Sequence, residues 1–285
     1  MGGLMDQGVL DEAKRMCERF EQLFSRTIPT SDVARVNAAQ GVPVRVDYRT
    51  VDLVRKALEY CEASDGLFDI TIGAVSELWD FTKGVVPAKE QVERALPHVG
   101  WERVRVDDET ITLEDPLARL DLGGIAKGYI ADQLIERFER RGVTSAFVNL
   151  GGNVKVLGAK ADGTPWHVGV RDPEDEAGVN VVARVATTGG SLVTSGLYER
   201  CFEHDGKRYW HILDPRTGYP VQTDIVSASI FSQESIDGDG YTKPLFMLGE
   251  RDALDFLAAH PGLQALLVRQ DGTIVTTESS EFELV

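Results

Sequence analysis

An imidazole, a lysine ammonium group and several carboxylates stand in glycine-bearing tracts of this chain, and these are the groups that could do chemistry. The tract Thr194–Pro220 reads TSGLYERCFEHDGKRYWHILDPRTGYP. Its Asp205-Gly206 pair, set between alternating residues, is the signature of a tight β-hairpin. Asp214-Pro215-Arg216-Thr217-Gly218 is a reversal, because Pro presets φ and Gly accepts a positive φ. The hairpin delivers His211 to a fixed place at a strand end, where an imidazole can take a hydroxyl proton near neutrality. Taken alone, a histidine at a strand end is also compatible with a structural role. Arg200 and Arg216 read as anchors of the turn through carboxylates. His98, His167, His204 and His260 share no metal spacing.

Leu120–Tyr129, LDLGGIAKGY, reads as strand, di-glycine turn and helix start. Such a junction exposes amide N–H groups and the positive end of the helix dipole, which favours phosphate. Lys127 falls in the first helical turn, within reach of a pyrophosphate oxygen; a packing turn with a solvated lysine is the alternative. Neither a Walker loop nor a Rossmann fingerprint fits the spacing. Asp237-Gly238-Asp239-Gly240 puts two carboxylates on a glycine-softened turn before the apolar run Leu245–Leu248. A hard cation such as Mg²⁺ takes carboxylate oxygens together with substrate phosphates. In Gly66-Leu67-Phe68-Asp69, Phe68 offers an aromatic face and Asp69 a hydroxyl acceptor, with packing and turn capping as the alternatives. Gly151-Gly152, inside Asn149–Asn153, is either a close backbone approach to a nucleotide or a strand bend.

These tracts, in this order, resemble the ApbE family, the FAD:protein FMN transferases. The resemblance runs from about the first helix to about Gly249. It implies an α+β, ApbE-like (T-fold-like) domain of mostly antiparallel sheets with packed helices, in two lobes around a flavin-nucleotide cleft. It also implies cofactor contacts at Leu67, Phe68, Asp69, Asp121 and Lys127, and at Gly151, Gly152, Thr194, Ile212 and Leu213. Catalytic roles fall to His211 and Asp239. Metal contacts fall to Gly124, through its carbonyl, and to Asp239. Counting back from Phe246, Lys243 occupies the place of the family's second metal ligand, a threonine. An ammonium cannot ligate Mg²⁺. A metal site shifted toward Asp237 or Thr242, a weakened site, and a lysine standing in for the cation are therefore all open, with retained but altered Mg²⁺ binding the expectation. The implied reaction moves FMN from FAD to a Thr or Ser of a redox flavoprotein and releases AMP. Water as acceptor, giving an FAD pyrophosphatase, and flavin binding without turnover are the alternatives.

The elements that must position these groups follow from periodicity. Apolar residues at helical spacing predict helices over 9–26, from Thr30-Ser31 through Asn37, over about 51–61, from Pro87 to Leu96, over Ala126–Arg140 and over Arg251–Ala259. Short β runs are expected at Val104–Val106, Thr110–Leu113, Arg119–Leu122, Ser145–Leu150, Asn153–Leu157, His167–Arg171, Val181–Val185, Ser191–Val193, Ile225–Phe231, Ala265–Val268 and Thr273–Thr277. Strands in hairpins with inserted helices indicate α+β, and 1–285 reads as one compact domain. The 285 residues carry 42% apolar residues and a formal charge of −16, which argues against nucleic acid or an anionic membrane as partner. A pyrophosphate ligand must then be neutralised locally. Three cysteines without metal spacing predict no disulfide framework. No leader or membrane-length apolar run is evident, so a cytoplasmic chain or a form lacking its leader is expected, and the start at Met1-Gly2-Gly3 lacks the family's opening strand.

Overall fold

The computed structural model describes residues 6–175 and 177–285. In chain order the first elements are α1 (Gln7–Phe24), α2 (Asp32–Ala38), β1 (Val44–Arg45), α3 (Tyr48–Ala63), α4 (Gly73–Ser76) and α5 (Lys89–Ala95). They are followed by β2 (Val104–Val106), β3 (Thr110–Leu113), α6 (Ala126–Arg140), β4 (Ala146–Leu150), β5 (Asn153–Leu157), β6 (Trp166–Arg171) and β7 (Val181–Thr187). Then come β8 (Gly189–Gly196), β9 (Cys201–His204), β10 (Lys207–Trp210), β11 (Ile225–Ser232), α7 (Ser235–Ala258), β12 (Gln264–Arg269), β13 (Ile274–Thr276) and β14 (Glu283–Leu284). The strands pair antiparallel throughout, and the α+β expectation holds.

The chain divides into two compact units. The first takes residues 1–17, 127–196 and 223–285. Its six-stranded sheet has the order β13-β12-β11-β8-β5-β4. Val9 of α1 and Ala131, Leu134, Ile135 and Phe138 of α6 pack with Ala146 and Val148 of β4. A second core joins Leu192, Leu266 and Val268 to Val170, Ala183 and Val185 of the three-stranded sheet β14-β7-β6. The second unit takes residues 18–126 and 197–222 and holds the sheet β1-β3-β2 and the hairpin β9–β10.

Within the first unit, α6 and α7 terminate each other. The Asp132 carboxylate of α6 accepts the first-turn N–H groups of Ser235 (2.8 Å) and Ile236 (2.9 Å) of α7. The Asp239 carboxylate of α7 accepts the N–H of Gly128 near the start of α6 at 2.7 Å. Both satisfy otherwise orphaned N–H groups where the helix dipole is positive. The buried Lys155 ammonium steadies the first contact, donating to Asp132 at 2.8 Å and to the Gln233 carbonyl at 2.7 Å. Burial pushes the Asp132 carboxyl up to about 6, against the pull of Lys155. Glycine permits this approach: a Cβ on Gly128 would lie 2.5 Å from the Ser235 carbonyl oxygen and 2.6 Å from Ile236 Cα.

Two sequence expectations are corrected. Asp237-Gly238-Asp239-Gly240 is not a turn; it lies inside α7, which runs from Ser235 and kinks only at Gly249 (φ 74°). Gly238 is present because a Cβ there would collide with the Val193 side chain of β8. Arg119–Leu122 is not a strand. Arg119 makes one isolated bridge with Ile72, and the Leu120 amide and carbonyl pair with the Asn37 side chain at 2.7 and 2.9 Å. A buried side-chain amide does there the work of a neighbouring strand.

Gly238→Ala is expected to destabilise the protein by about 2–3 kcal/mol, through overpacking against β8, read from denaturant midpoints. Burial pushes the Asp239 carboxyl up, but the Lys243 and Lys127 charges and the Gly128 N–H outweigh it and hold the group below its ordinary 3.8. Its contribution to stability is thus present above about pH 4 and lost as pH falls through the lowered value. The stability gap between the wild type and Asp239→Asn should be flat from pH 5 to 7 and close on further acidification; a constant gap down to pH 2 would contradict this.

Candidate functional site

The residues singled out by sequence fall into two groups, one in each unit. In the first unit the group is built on Asp239, whose carboxylate is fully buried. Its Oδ1 accepts hydrogen bonds from Lys127 Nζ and Lys243 Nζ, each at 3.2 Å. Asp239 and Lys243 meet because positions four apart share one helix face. Lys243 Nζ also donates to the Asp239 carbonyl at 2.9 Å. Lys127 Nζ donates to Asn153 Oδ1 of β5 at 2.8 Å, so the sheet fixes the ammonium from its other side. The sequence tracts around 127 and 239–243 therefore do converge.

Neighbouring residues complete this group. Gly151 and Gly152 form the turn between β4 and β5, with φ of 58° and 96°, and Gly152 N–H donates to Asn149 Oδ1 at 3.2 Å. Asn153 follows directly. Thr194 of β8 donates its N–H to the Gly152 carbonyl at 3.4 Å and shares a hydroxyl contact of 2.7 Å with Ser229. Thr242 is buried with its hydroxyl 2.9 Å from Ser195 Oγ. Asn153, Gly128 and Ser195 stand within the tracts quoted from the sequence, but none of them was given a role there. Each lies inside a singled-out tract, but no local pattern distinguishes its role, which depends on contacts with distant residues.

The donor set around Asp239 does not fit a divalent cation. Such ions take oxygen ligands. Both Asp239 oxygens here face N–H donors, two of them cationic, and Lys243 offers no lone pair. The Thr242 hydroxyl is paired with Ser195. Among the described residues no three His, Cys, Asp or Glu side chains gather as a metal-holding group.

In the second unit the hairpin forms as expected, with Lys207 opposite His204 and Trp210 opposite Cys201. Asp205 and Gly206 both take positive φ, the backbone of a type I′ turn. Phe202 and Tyr209 stack at 5.4 Å, and Tyr209 also meets Trp79 at 5.7 Å. The Trp79 indole donates to the Gly218 carbonyl at 3.1 Å and the Trp210 indole to the Val221 carbonyl at 2.9 Å. His211, half-buried, donates its backbone N–H to the Arg200 carbonyl at 3.0 Å. Arg216 closes on Asp214 with contacts of 2.9 and 2.7 Å, in agreement with its reading as an anchor. Ile212 and Leu213 are buried, and Leu213 packs with Val75, Trp79 and Val92.

The other residues singled out in this unit make contacts within it. The Asp69 carboxylate accepts from the Thr71 N–H (2.7 Å), the Thr71 hydroxyl (2.6 Å) and the Trp101 N–H (3.1 Å), so it caps its own turn. Burial raises its pKa despite those bonds. Phe68 is buried, and Leu67 donates its N–H to the Ser64 carbonyl. Asp121 accepts from the Gly123 N–H at 2.9 Å and the Ser76 hydroxyl at 3.0 Å, with Arg26 at 3.5 Å. Gly124 is half-exposed after it.

Known proteins resemble this chain over most of its length. The FAD:protein FMN transferase of Treponema pallidum (strain Nichols) is 36% identical over 280 residues, covering 92% of this chain and 77% of its own. That of Klebsiella pneumoniae (strain 342) is 34% identical, over 95% and 85%. The crystal structure of the ApbE protein from Thermotoga maritima MSB8 aligns with a TM-score of 0.89 at 32% identity, over 97% of this chain and 91% of that one. The flavin transferase ApbE from Vibrio cholerae aligns at 0.86 and 26% identity, over 98% and 91%. The match to the ApbE family extends over residues 2–267, and the chain belongs to that family.

Proposed function

We propose that this protein is an FAD:protein FMN transferase, which moves FMN from FAD onto a protein acceptor. The 36% identity to a transferase of that name over 92% of the chain carries the reading. The paired ammonium groups of Lys127 and Lys243 on Asp239 support it, since a chain of net charge −16 must neutralise a pyrophosphate locally. The acceptor is a Thr or Ser of a redox flavoprotein.

Phosphoryl transfer of this kind asks for positioning and charge neutralisation more than for covalent help from the enzyme. The acceptor oxygen forms a bond to the FMN phosphorus, the anhydride P–O bond breaks, and AMP leaves with the electron pair. His211 accepts the hydroxyl proton. Lys127 neutralises a phosphate oxygen, and Asp239 holds Lys127 and Lys243 in place. The backbone at Gly151-Gly152 and at Thr194, Ile212 and Leu213, with Leu67, Phe68, Asp69 and Asp121, is assigned to flavin-nucleotide binding. No step runs through Mg²⁺ at Asp239 or Gly124, because the donors around Asp239 are cationic.

Incubation with FAD and a flavoprotein domain bearing an acceptor Thr should give protein-bound flavin fluorescence and stoichiometric AMP. AMP without flavinylated protein would identify a pyrophosphatase instead, and bound FAD without AMP a binding protein. His211→Ala is expected to lower the transfer rate about 10²–10⁴-fold, the range of a positioned general base. Asp239→Ala should lower it at least 100-fold, since the two ammonium groups lose their anchor. Wild-type rates in either variant remove that residue from the mechanism.

A further inference from the structure

The group around Asp239 has an unequal distribution of charge and access. The carboxylate is fully buried, whereas the Lys127 side chain is 43% exposed and that of Lys243 19%. Two ammonium groups contact one carboxylate, and it is the cationic partners that reach solvent. The buried carboxylate cannot relax toward water, so it holds both cations at 3.2 Å from a single oxygen. Asn153 fixes Lys127 from β5, and the Asp239 carbonyl fixes Lys243. An anion oxygen arriving here meets preorganised positive charge; a divalent cation meets repulsion from both lysines.

We propose that Lys127 and Lys243, anchored on Asp239, replace a divalent cation at this site, so that FAD is bound through its pyrophosphate and cleaved without Mg²⁺. This rests on the FAD reading above. The bonds made and broken are those of that reaction: the acceptor oxygen joins the FMN phosphorus, AMP departs with the anhydride electron pair, and the hydroxyl proton passes to His211. The charge that forms on the leaving phosphate is met by ammonium groups, which need no delivery from solution. Lysine at 243 is thereby the residue that sets cation requirement: with an oxygen ligand in its place, the same carboxylate could accept a metal.

The test uses the full chain, freed of metal by a chelator, with FAD binding followed by flavin fluorescence and Mg²⁺ binding by calorimetry. Wild-type FAD affinity should agree within about twofold with and without Mg²⁺, and Mg²⁺ alone should give no binding isotherm. Lys243→Met should weaken FAD binding about tenfold in chelator, the equivalent of one charge-assisted contact, and Lys243→Arg should retain it. Lys243→Thr should bind FAD more tightly on adding Mg²⁺. Thermal melts confirm that each variant is folded, and the wild-type comparison stands without any variant. A tenfold or larger gain of wild-type affinity with Mg²⁺, or stoichiometric Mg²⁺ binding without nucleotide, overturns the proposal while leaving the FAD reading intact. Loss of charge at 243 without effect on FAD binding also overturns it. Failure to bind FAD under both conditions overturns the FAD reading, and the proposal with it.

Discussion

A single buried carboxylate organises the first unit. Ionised Asp239 is tolerable without water only because every face of it meets a donor: Lys127 and Lys243 on one oxygen, the Gly128 N–H on the other. Those partners come from α6 and α7, and Lys127 extends the network to Asn153 of β5. The cost of burying the charge therefore ties three elements to one point. Asp132 does the converse, presenting an α6 carboxylate to the first amides of α7. With one capping contact near each helix start, sliding one helix past the other would break both. The position of the Lys127 ammonium is thus set by the packing of the unit rather than by the flexibility of its own side chain.

The second unit fixes a different group by different means. His211 follows a two-residue hairpin on which Phe202 and Tyr209 stack and whose last residue, Trp210, donates its indole N–H to the Val221 carbonyl. Aromatic packing supplies the rigidity here, and charge plays the smaller part; the Asp214–Arg216 pair acts only within the reversal after it. Asp69 and Asp121 each collect donors from their own segment and from other segments of this unit. The backbone at His211 is tied to this scaffold by its N–H bond to the Arg200 carbonyl.

Much of this was legible in the chain because the signals are local. Asp205-Gly206 specifies a hairpin whatever surrounds it, and the strands came out in the register that turn demands. The apolar spacing of Ile130, Leu134, Ile135 and Phe138 marks α6, whose span agrees residue for residue. The failures share one cause. Gly238 and Gly240 read as turn formers, yet helix runs through them, since Gly238 answers to the proximity of Val193, 45 positions earlier. Leu120 looked like strand because it is extended and apolar, and its partner proved to be the Asn37 side chain.

The amino-acid sequence by itself determined the family, the antiparallel α+β character, the hairpin that carries His211 and the presence of lysine at position 243. Each depends on residue type and near-neighbour spacing, which the chain carries openly. Only the tertiary structure decided that Asp239 is wholly buried, that it grips two ammonium groups at once, and that Asn153 and Gly128 complete the grip. Those facts depend on contacts between residues as far apart as Lys127 and Asp239. Whether a carboxylate is a metal ligand or the anchor of a cation pair is settled by the groups packed around it, and no local pattern records them.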